Sequence, residues 1–185
     1  VALGNTALDS NVSGVRVTAI GSQALTANTA SDNTAIGARA MASTTSGANN
    51  VAVGRDSMFT NSTGAENVSV GLNTMYYNTT GANNTALGRS ALQANTTASN
   101  NTAVGYQAGY TNTTGAQITA VGQSALKLNT TGAYNNAFGY QALNDNTTGN
   151  YNAAFGSQAL ASNTTASNNT AVGYHAGYSN TTGAY

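Results

Sequence analysis

The stretch from Asn101 to Gln117 reads N-T-A-V-G-Y-Q-A-G-Y-T-N-T-T-G-A-Q, and the rest of the chain consists of variations on it. Its first glycine, Gly105, is an anchor from which equivalent glycines are found in both directions. They are Gly4, Gly21, Gly37, Gly54, Gly71, Gly88, Gly122, Gly139, Gly156 and Gly173. Neighbouring anchors are 17 residues apart, except that Gly21 and Gly37 are 16 apart. A short period kept over a whole chain is the signature of a solenoid.

Positions counted from the anchor glycine form columns with a constant character. Position −1 is apolar in every unit, position −2 is alanine except at Ser69, position +3 is small, and position +4 is mostly leucine or methionine. We predict that these columns form the interior, so that aspartate in place of Val104 would bury an unpaired charge. Short β-branched runs between glycine and asparagine favour strands, and 17 residues are too few for a helix pair. The predicted fold is all-β, a β-solenoid (parallel β-roll) of eleven 17-residue coils.

The corner of each coil is predicted at positions +7 to +10, which commonly read N-T-T-G, as in Asn112–Gly115. Glycine at the fourth place suits a turn that uses a positive φ angle. The one-residue deletion falls in the equivalent corner, between Asn28 and Asn33, where loops tolerate a change of length. We expect residues 1–185 to form a single repeat array without separate domains, and to be a segment of a longer fibre because both ends fall inside a repeat.

Composition excludes several functions. The chain has five basic and five acidic residues, a formal net charge of zero and no cysteine. It therefore lacks the clustered lysine and arginine that nucleic acids and anionic membranes require. It also lacks a long apolar run that would span a bilayer. We expect no catalytic residues, no metal site and no cofactor, because the acidic residues lie in different coils and His175 occupies a polar column at +2. Arg39 and Asp56 share that column in adjacent coils and are predicted to pair.

The unit A-[VIL]-G…A-[LM], with a small residue three places after the glycine, resembles the head repeats of trimeric autotransporter adhesins. It is also similar to the N-T-A-x-G-Y-Q-A-L…N-T-T-G arrays of phage tail-fibre proteins and bacterial surface proteins. The resemblance covers all eleven units, although the adhesin head repeat is shorter. It implies a left-handed parallel β-roll, self-association as a homotrimer or end-to-end fibre, and an extracellular location on a cell surface or virion surface.

Aromatic side chains recur in three columns. Position +1 is occupied by Tyr106, Tyr140 and Tyr174. Position +5 is occupied by Phe59, Tyr76, Tyr110 and Tyr178, and position −5 by Tyr134, Tyr151 and Tyr185. One interpretation is a discontinuous contact stripe that stacks on sugars or packs against a sister chain. The other is that these rings are rim residues covering a thin core.

N-glycosylation motifs N-x-[S/T] recur at position +7, on a corner that we predict to be exposed. The candidate acceptors are Asn11, Asn61, Asn78, Asn95, Asn112, Asn129, Asn146, Asn163 and Asn180, with four more before the anchor at Asn67, Asn83, Asn100 and Asn168. Duplication of one ancestral motif, or the preference of asparagine for turns, explains the row as well.

The sequence therefore favours a structural extracellular fibre or adhesin shaft, a stiff spacer or display surface for which N-glycosylation is an open alternative. Partners would be further copies of the chain, carbohydrate or a host surface. One alternative is an ice-binding or surface-binding β-solenoid that uses threonine and asparagine ladders, because threonine recurs at −3, for example at Thr18 and Thr34. Another is a phage tail-fibre shaft that binds carbohydrate.

Overall fold

The computed structural model describes residues 1–183 and contains eleven parallel strands, one in each repeat. They are β1 (Ala2–Leu3), β2 (Thr18–Ile20), β3 (Thr34–Ile36), β4 (Val51–Val53), β5 (Val68–Val70), β6 (Thr85–Leu87), β7 (Thr102–Val104), β8 (Thr119–Val121), β9 (Asn136–Phe138), β10 (Ala153–Phe155) and β11 (Thr170–Val172). The strands form one sheet in chain order. We number the coils from coil 1, which contains Gly4, to coil 11, which contains Gly173. The predicted β-solenoid is confirmed, and its left-handed sense stays a prediction.

The strands pair with identical columns facing each other, as in Ala103 opposite Ala120. The deletion leaves this register intact, because Thr18 still pairs with Thr34. The shorter corner absorbs the missing residue. The Asn28 side chain donates to the carbonyl of Ala30, two residues along, at 2.7 Å, whereas Asn78 donates to Gly81, three residues along, at 3.0 Å. The deletion therefore lies in the corner, as predicted.

The interior is narrower than the sequence suggested. Positions −2, +3 and +4 are buried, as Ala103, Ala108 and Leu126 illustrate with no exposed surface. The prediction that position −1 is also buried is wrong, since Leu87 is 47% exposed and Phe155 is 42% exposed. Successive side chains of a strand point to opposite faces. With −2 inside, −3 and −1 must face outward. The expectation that aspartate at Val104 would be fully buried is wrong for the same reason.

Asparagine fills the space that large apolar residues would occupy in a wider core. The asparagines at +7 and those at −4 are both inside. In each column, hydrogen bonds between asparagine side chains of successive coils form a ladder. At +7, the Asn129 Nδ2 group donates to Asn112 Oδ1 at 2.7 Å. At −4, Asn84 donates its backbone N–H and its Nδ2 group to Asn67 Oδ1, at 2.9 and 3.1 Å. The −4 ladder was not foreseen from the sequence.

The two ladders meet at one backbone carbonyl in each regular coil. In coil 6, the carbonyl of Ala98 accepts from Asn84 Nδ2 at 2.9 Å and from Asn95 Nδ2 at 3.1 Å. Coil 5 repeats this arrangement at the carbonyl of Gly81. A carbonyl oxygen has two lone pairs, and both are used here. The −4 amide thus attaches the corner to the strand side of the same coil, and the +7 amide closes the corner itself.

Where one interior column departs from its usual residue, a neighbouring column also departs, and the second change restores the hydrogen bonding or the packing. Ser69, the one residue at −2 that is not alanine, accepts a 2.8 Å hydrogen bond from Ser57, which replaces alanine at +3. Gly109 replaces leucine at +4 in coil 7, and Ile118 replaces asparagine at −4 in the next coil. The Ile118 Cδ1 atom lies 3.6 Å from where a Gly109 side chain would begin, so its side chain fills the space.

Glycine at the anchor is required by both conformation and space. Gly105 has a φ angle of 135°, and a Cβ atom there would lie 2.6 Å from the carbonyl oxygen of Gly122. The glycines at +10 differ, because Gly81 is not among the residues with positive φ. A Cβ atom there would come within 2.3 Å of the Ala98 oxygen. The turn-type explanation for the +10 glycines is therefore wrong. Close approach of the next coil favours glycine at Gly81, whereas coils 6 and 10 accommodate Ala98 and Ala166 in the same column.

The +7 ladder is interrupted at Thr44, and repair of this break is the first prediction. The buried Thr44 Oγ1 atom has no hydrogen-bond partner. In Thr44→Asn, the new amide can donate to Asn28 and Gly47 and accept from Asn61. We expect the free energy of unfolding to rise by about 1–2 kcal/mol relative to the native chain, because each hydrogen bond contributes about 1 kcal/mol of net stability. The measurement is urea denaturation followed by circular dichroism.

The matched control is Ser43→Asn, which places the same side chain on the exposed neighbouring residue. This change should leave the unfolding midpoint unaltered. An equal gain in both variants, or no gain in Thr44→Asn, would contradict a ladder that stabilises the coil stack.

Candidate functional site

The outward face of the sheet is a uniform surface, formed by positions −3 and −1 of all eleven coils. Neither column contains a charged residue. Position −1 presents an unbroken apolar row along the rod, made of Leu3, Ile20, Ile36, Val53, Val70, Leu87, Val104, Val121, Phe138, Phe155 and Val172. An exposed apolar strip of this length is typical of a surface that contacts something else.

Threonine lies beside this apolar row on the same face. Thr85, Thr102 and Thr119 pair in register across three consecutive coils. The rings of Phe138 and Phe155 stack at a centroid distance of 5.0 Å with their planes 7° apart. Over coils 6 to 8 the outward face therefore alternates hydroxyl and apolar groups, whereas valine, asparagine or alanine occupies −3 in coils 4, 5, 9 and 10. The sequence signal for it was the strand alternation itself, with only −2 directed inward.

The predicted row of glycan acceptors at +7 lies inside the fold. Seven of its members have no exposed surface, namely Asn61, Asn78, Asn95, Asn112, Asn129, Asn146 and Asn163. Asn11 and Asn180, in the outermost coils, are half-buried. A glycan attaches to Nδ2, and in Asn129 both Nδ2 hydrogens are used, toward Asn112 Oδ1 and the Gly132 carbonyl. The prediction that this column is exposed is wrong, and the seven buried asparagines are not accessible acceptors in the folded array.

The four motifs before the anchor divide into two groups. Asn67 belongs to the −4 ladder and is buried. Asn83, Asn100 and Asn168 are exposed at position −5. They have φ angles near 60°, a left-handed conformation that asparagine tolerates better than most residues. Among the described residues, only these three motifs combine the acceptor sequence with an exposed asparagine.

The candidate aromatic stripe occupies two separate columns. Tyr106, Tyr140 and Tyr174 are exposed at +1, in every second coil from 7 to 11. Tyr110 is half-buried and Tyr178 is exposed at +5. The two columns are connected in coil 11, where the His175 ring lies 4.1 Å from the Tyr174 ring and 4.8 Å from the Tyr178 ring, between centroids.

The remaining rings pack against one another in other columns. Tyr134 stacks on Tyr151 at −5, with centroids 4.8 Å apart. Phe59 stacks on Tyr76 at +5, with centroids 5.1 Å apart. Tyr185, the last member of the −5 column, lies outside the described residues.

Two ion pairs connect adjacent coils. The predicted pair of Arg39 and Asp56 is confirmed, with Arg39 Nε 2.7 Å from Asp56 Oδ1. The Asp56 carboxylate is almost fully buried, and its hydrogen bond raises the pKa of Arg39 above its usual value. At −5, a hydrogen bond from Arg16 lowers the pKa of Asp32. These pairs hold neighbouring coils together and are too dispersed to form a reactive cluster.

Within residues 1–183, no group of three or more histidine, aspartate or glutamate side chains is placed to hold a metal ion. His175 is exposed, and its Nε2 atom lies within hydrogen-bond distance of Gln158 Oε1. A cavity at coil 11 is lined by Leu160, Ala171, Ala176 and Gly177, among others. Its equivalent in coil 7, around Gly109, holds the Ile118 side chain, so this cavity is interior packing space.

The geometry defines a β-solenoid repeat protein with long regular surfaces. Comparison with family models, curated proteins and solved structures gives no match to this chain. The resemblance to adhesin heads and tail fibres stays an expectation. None of the described residues forms a helix that is long and apolar enough to cross a lipid bilayer.

The second prediction separates the ladder role of the +7 column from a glycan role. Asn129→Ala removes two buried donors and leaves acceptors unpaired, so we expect a loss of about 2–4 kcal/mol in unfolding free energy. Thr131→Ala destroys the same N-x-T motif at an exposed residue and leaves the amide in place. We expect its stability to match that of the native chain in a urea titration.

Production in a host that attaches N-linked glycans completes this test. Peptide mapping should find Asn129 unmodified in the folded native chain. Sugar on Asn129 in folded protein, or equal losses of stability in the two variants, would show that the column is accessible.

Proposed function

We propose that this chain is a structural segment of an extracellular fibre or adhesin shaft, displayed on a cell surface or virion surface as a stiff spacer. The observation that carries the proposal is the unbroken register of eleven coils. Backbone hydrogen bonds join every coil to the next, and the +7 and −4 amide ladders add side-chain bonds between most coils. With parallel strands about 4.8 Å apart, eleven coils give a rod roughly 50 Å long. Because each coil repeats the one before it, such a rod acts through its length and through the surface that the coils repeat.

Self-association is part of the proposal. The outward face exposes apolar side chains in every coil and carries no charge, so a second copy could cover it without desolvating ions. The resemblance implies either a homotrimer or an end-to-end fibre. The position of the apolar row on the side of the rod supports side-by-side contact.

The third prediction tests this contact by placing charge on the outward face. We expect Leu87→Asp/Phe155→Asp to convert an assembly into single chains, because two buried carboxylates would have to lose water in the interface. The measurement is sedimentation velocity over a range of concentrations. Circular dichroism should show that the variant keeps its fold, because both side chains are already exposed.

The matched control is Thr97→Asp/Thr165→Asp, which adds the same charges to the same two coils at the exposed corner position +9. This variant should sediment like the native chain. A native chain that remains monomeric at high concentration, or equal dissociation of both variants, would exclude side-by-side association through the outward face.

A second candidate function is binding to ice or another crystal surface. The observation that favours it is the placement of threonine and aliphatic residues together on one face, in register across coils 6 to 8. The fourth prediction is that, on this reading, the native chain gives measurable thermal hysteresis and Thr102→Lys/Thr119→Lys abolishes it, since the bulkier side chains break the flat match. A native chain without hysteresis would eliminate this candidate and leave the fibre proposal unaffected.

A further inference from the structure

The +1 column contains three exposed tyrosines at equal intervals. Tyr106, Tyr140 and Tyr174 are separated by 34 residues each, which is two coils. Their exposed fractions are 43%, 46% and 75%. Because identical columns repeat at the inter-strand distance, neighbouring tyrosines in this column are roughly 9.6 Å apart along the rod. Smaller polar residues, Gln123 and Ser157, occupy the coils between them.

Hydrogen-bonding side chains run beside the tyrosines at position +2. Gln158 Nε2 donates to Gln141 Oε1 at 3.0 Å, and His175 lies against Gln158 Oε1. These contacts link Gln141, Gln158 and His175 from coil to coil along the column that follows the tyrosines in sequence. An amide can donate to one hydroxyl group and accept from another, which suits a ligand rich in hydroxyls.

The column of tyrosines and the neighbouring +2 column are uncharged over five coils. From coil 7 to coil 11, positions +1 and +2 contain no lysine, arginine, aspartate or glutamate. The nearest cation in the column is Arg89 in coil 6, whose guanidinium lies 5.9 Å from the centre of the Tyr106 ring. A ligand that fits this surface is therefore neutral and does not depend on ion pairing.

We propose that Tyr106, Tyr140 and Tyr174 form a track for an extended, uncharged, β-1,4-linked polysaccharide, with every second sugar ring stacked on a tyrosine. The C–H face of a pyranose ring is slightly positive and packs on the negative face of an aromatic ring. In an extended, equatorially linked glycan, alternate rings turn over, so every second ring presents the same face. The length of one disaccharide along such a glycan is close to the distance between successive tyrosines of the +1 column along the rod. The track deepens the display role proposed above, and it needs the rod but not its self-association.

The fifth prediction uses affinity electrophoresis of the whole chain in gels that contain hydroxyethylcellulose, glucomannan or dextran. We expect retardation by at least one of the two β-1,4-linked polymers and none by dextran, whose linkage does not give an extended chain. Tyr140→Ala should weaken the binding about three- to tenfold, the range expected from one aromatic contact. The control Tyr151→Ala removes a 58% exposed tyrosine in another column and should leave the binding unchanged.

A positional swap tests the spacing itself. Gln123→Tyr/Tyr140→Gln keeps the composition and the number of exposed tyrosines, but replaces two equal intervals with one short and one long interval. We expect the swap to weaken binding as much as Tyr140→Ala, while thermal melts show that both variants remain folded. Full binding by the swap would overturn the track, as would equal loss in Tyr151→Ala or no retardation by either β-linked polymer.

The result of the glycan-binding experiment is independent of the proposal that the chain is a fibre or adhesin shaft. Sedimentation of the same samples reports on association through the outward face, so a failure of glycan binding leaves that result standing. A change of sedimentation in Tyr140→Ala would instead make the column a contact between chains and overturn the polysaccharide track.

Discussion

The structure depends on the way two rows of buried asparagine satisfy the backbone of the regular coils. A polar group taken out of water without a partner costs about 1–3 kcal/mol in proteins. Here the carbonyl at +10 accepts from two side-chain amides of its own coil, and each amide also bonds to the equivalent amide of the previous coil. The period follows from this arrangement. A residue inserted between −4 and +7 would move the −4 amide away from the +10 carbonyl. The single deletion instead lies in the corner after Asn28, where the amide bonds to the carbonyl of Ala30.

This interior also explains why the surfaces are unusual. A coil that holds two asparagines, two small residues and one leucine or methionine has no room for a further large side chain. The remaining apolar and aromatic residues therefore lie outside, at −1, +1, +5 and −5. In a globular domain such residues would be core. In this rod they form long columns, and repetition of the coil turns single exposed side chains into ordered arrays with a fixed spacing.

The backbone conformation carries a cost that the ladders offset. Positions +2, +4 and −5 have positive φ angles in nearly every coil, although they are occupied by residues such as Gln141, Leu143 and Tyr134. A left-handed conformation costs roughly 1–2 kcal/mol for a residue other than glycine. It persists because each coil is fixed by hydrogen bonds to both neighbours. The anchor glycine is different, since its Cβ atom would meet the backbone of the next coil whatever the conformation.

The sequence by itself determined the repeat, the all-β class, the coil boundaries, the position of the deletion and the inward direction of −2, +3 and +4. Periodicity suffices for these features because every coil must satisfy the same packing. It also identified the partnership of Arg39 with Asp56, because residues in one column become neighbours when coils stack.

Only the tertiary structure decided whether the side chains of the other columns point into the solenoid or toward solvent. Val104 looked internal because it is apolar, yet strand alternation places it outside. Asn129 looked external because asparagine favours turns, yet its amide is needed inside. Hydropathy could not settle either residue, because in a core this thin the hydrogen-bonding requirement of the backbone outweighs the burial of one more apolar side chain.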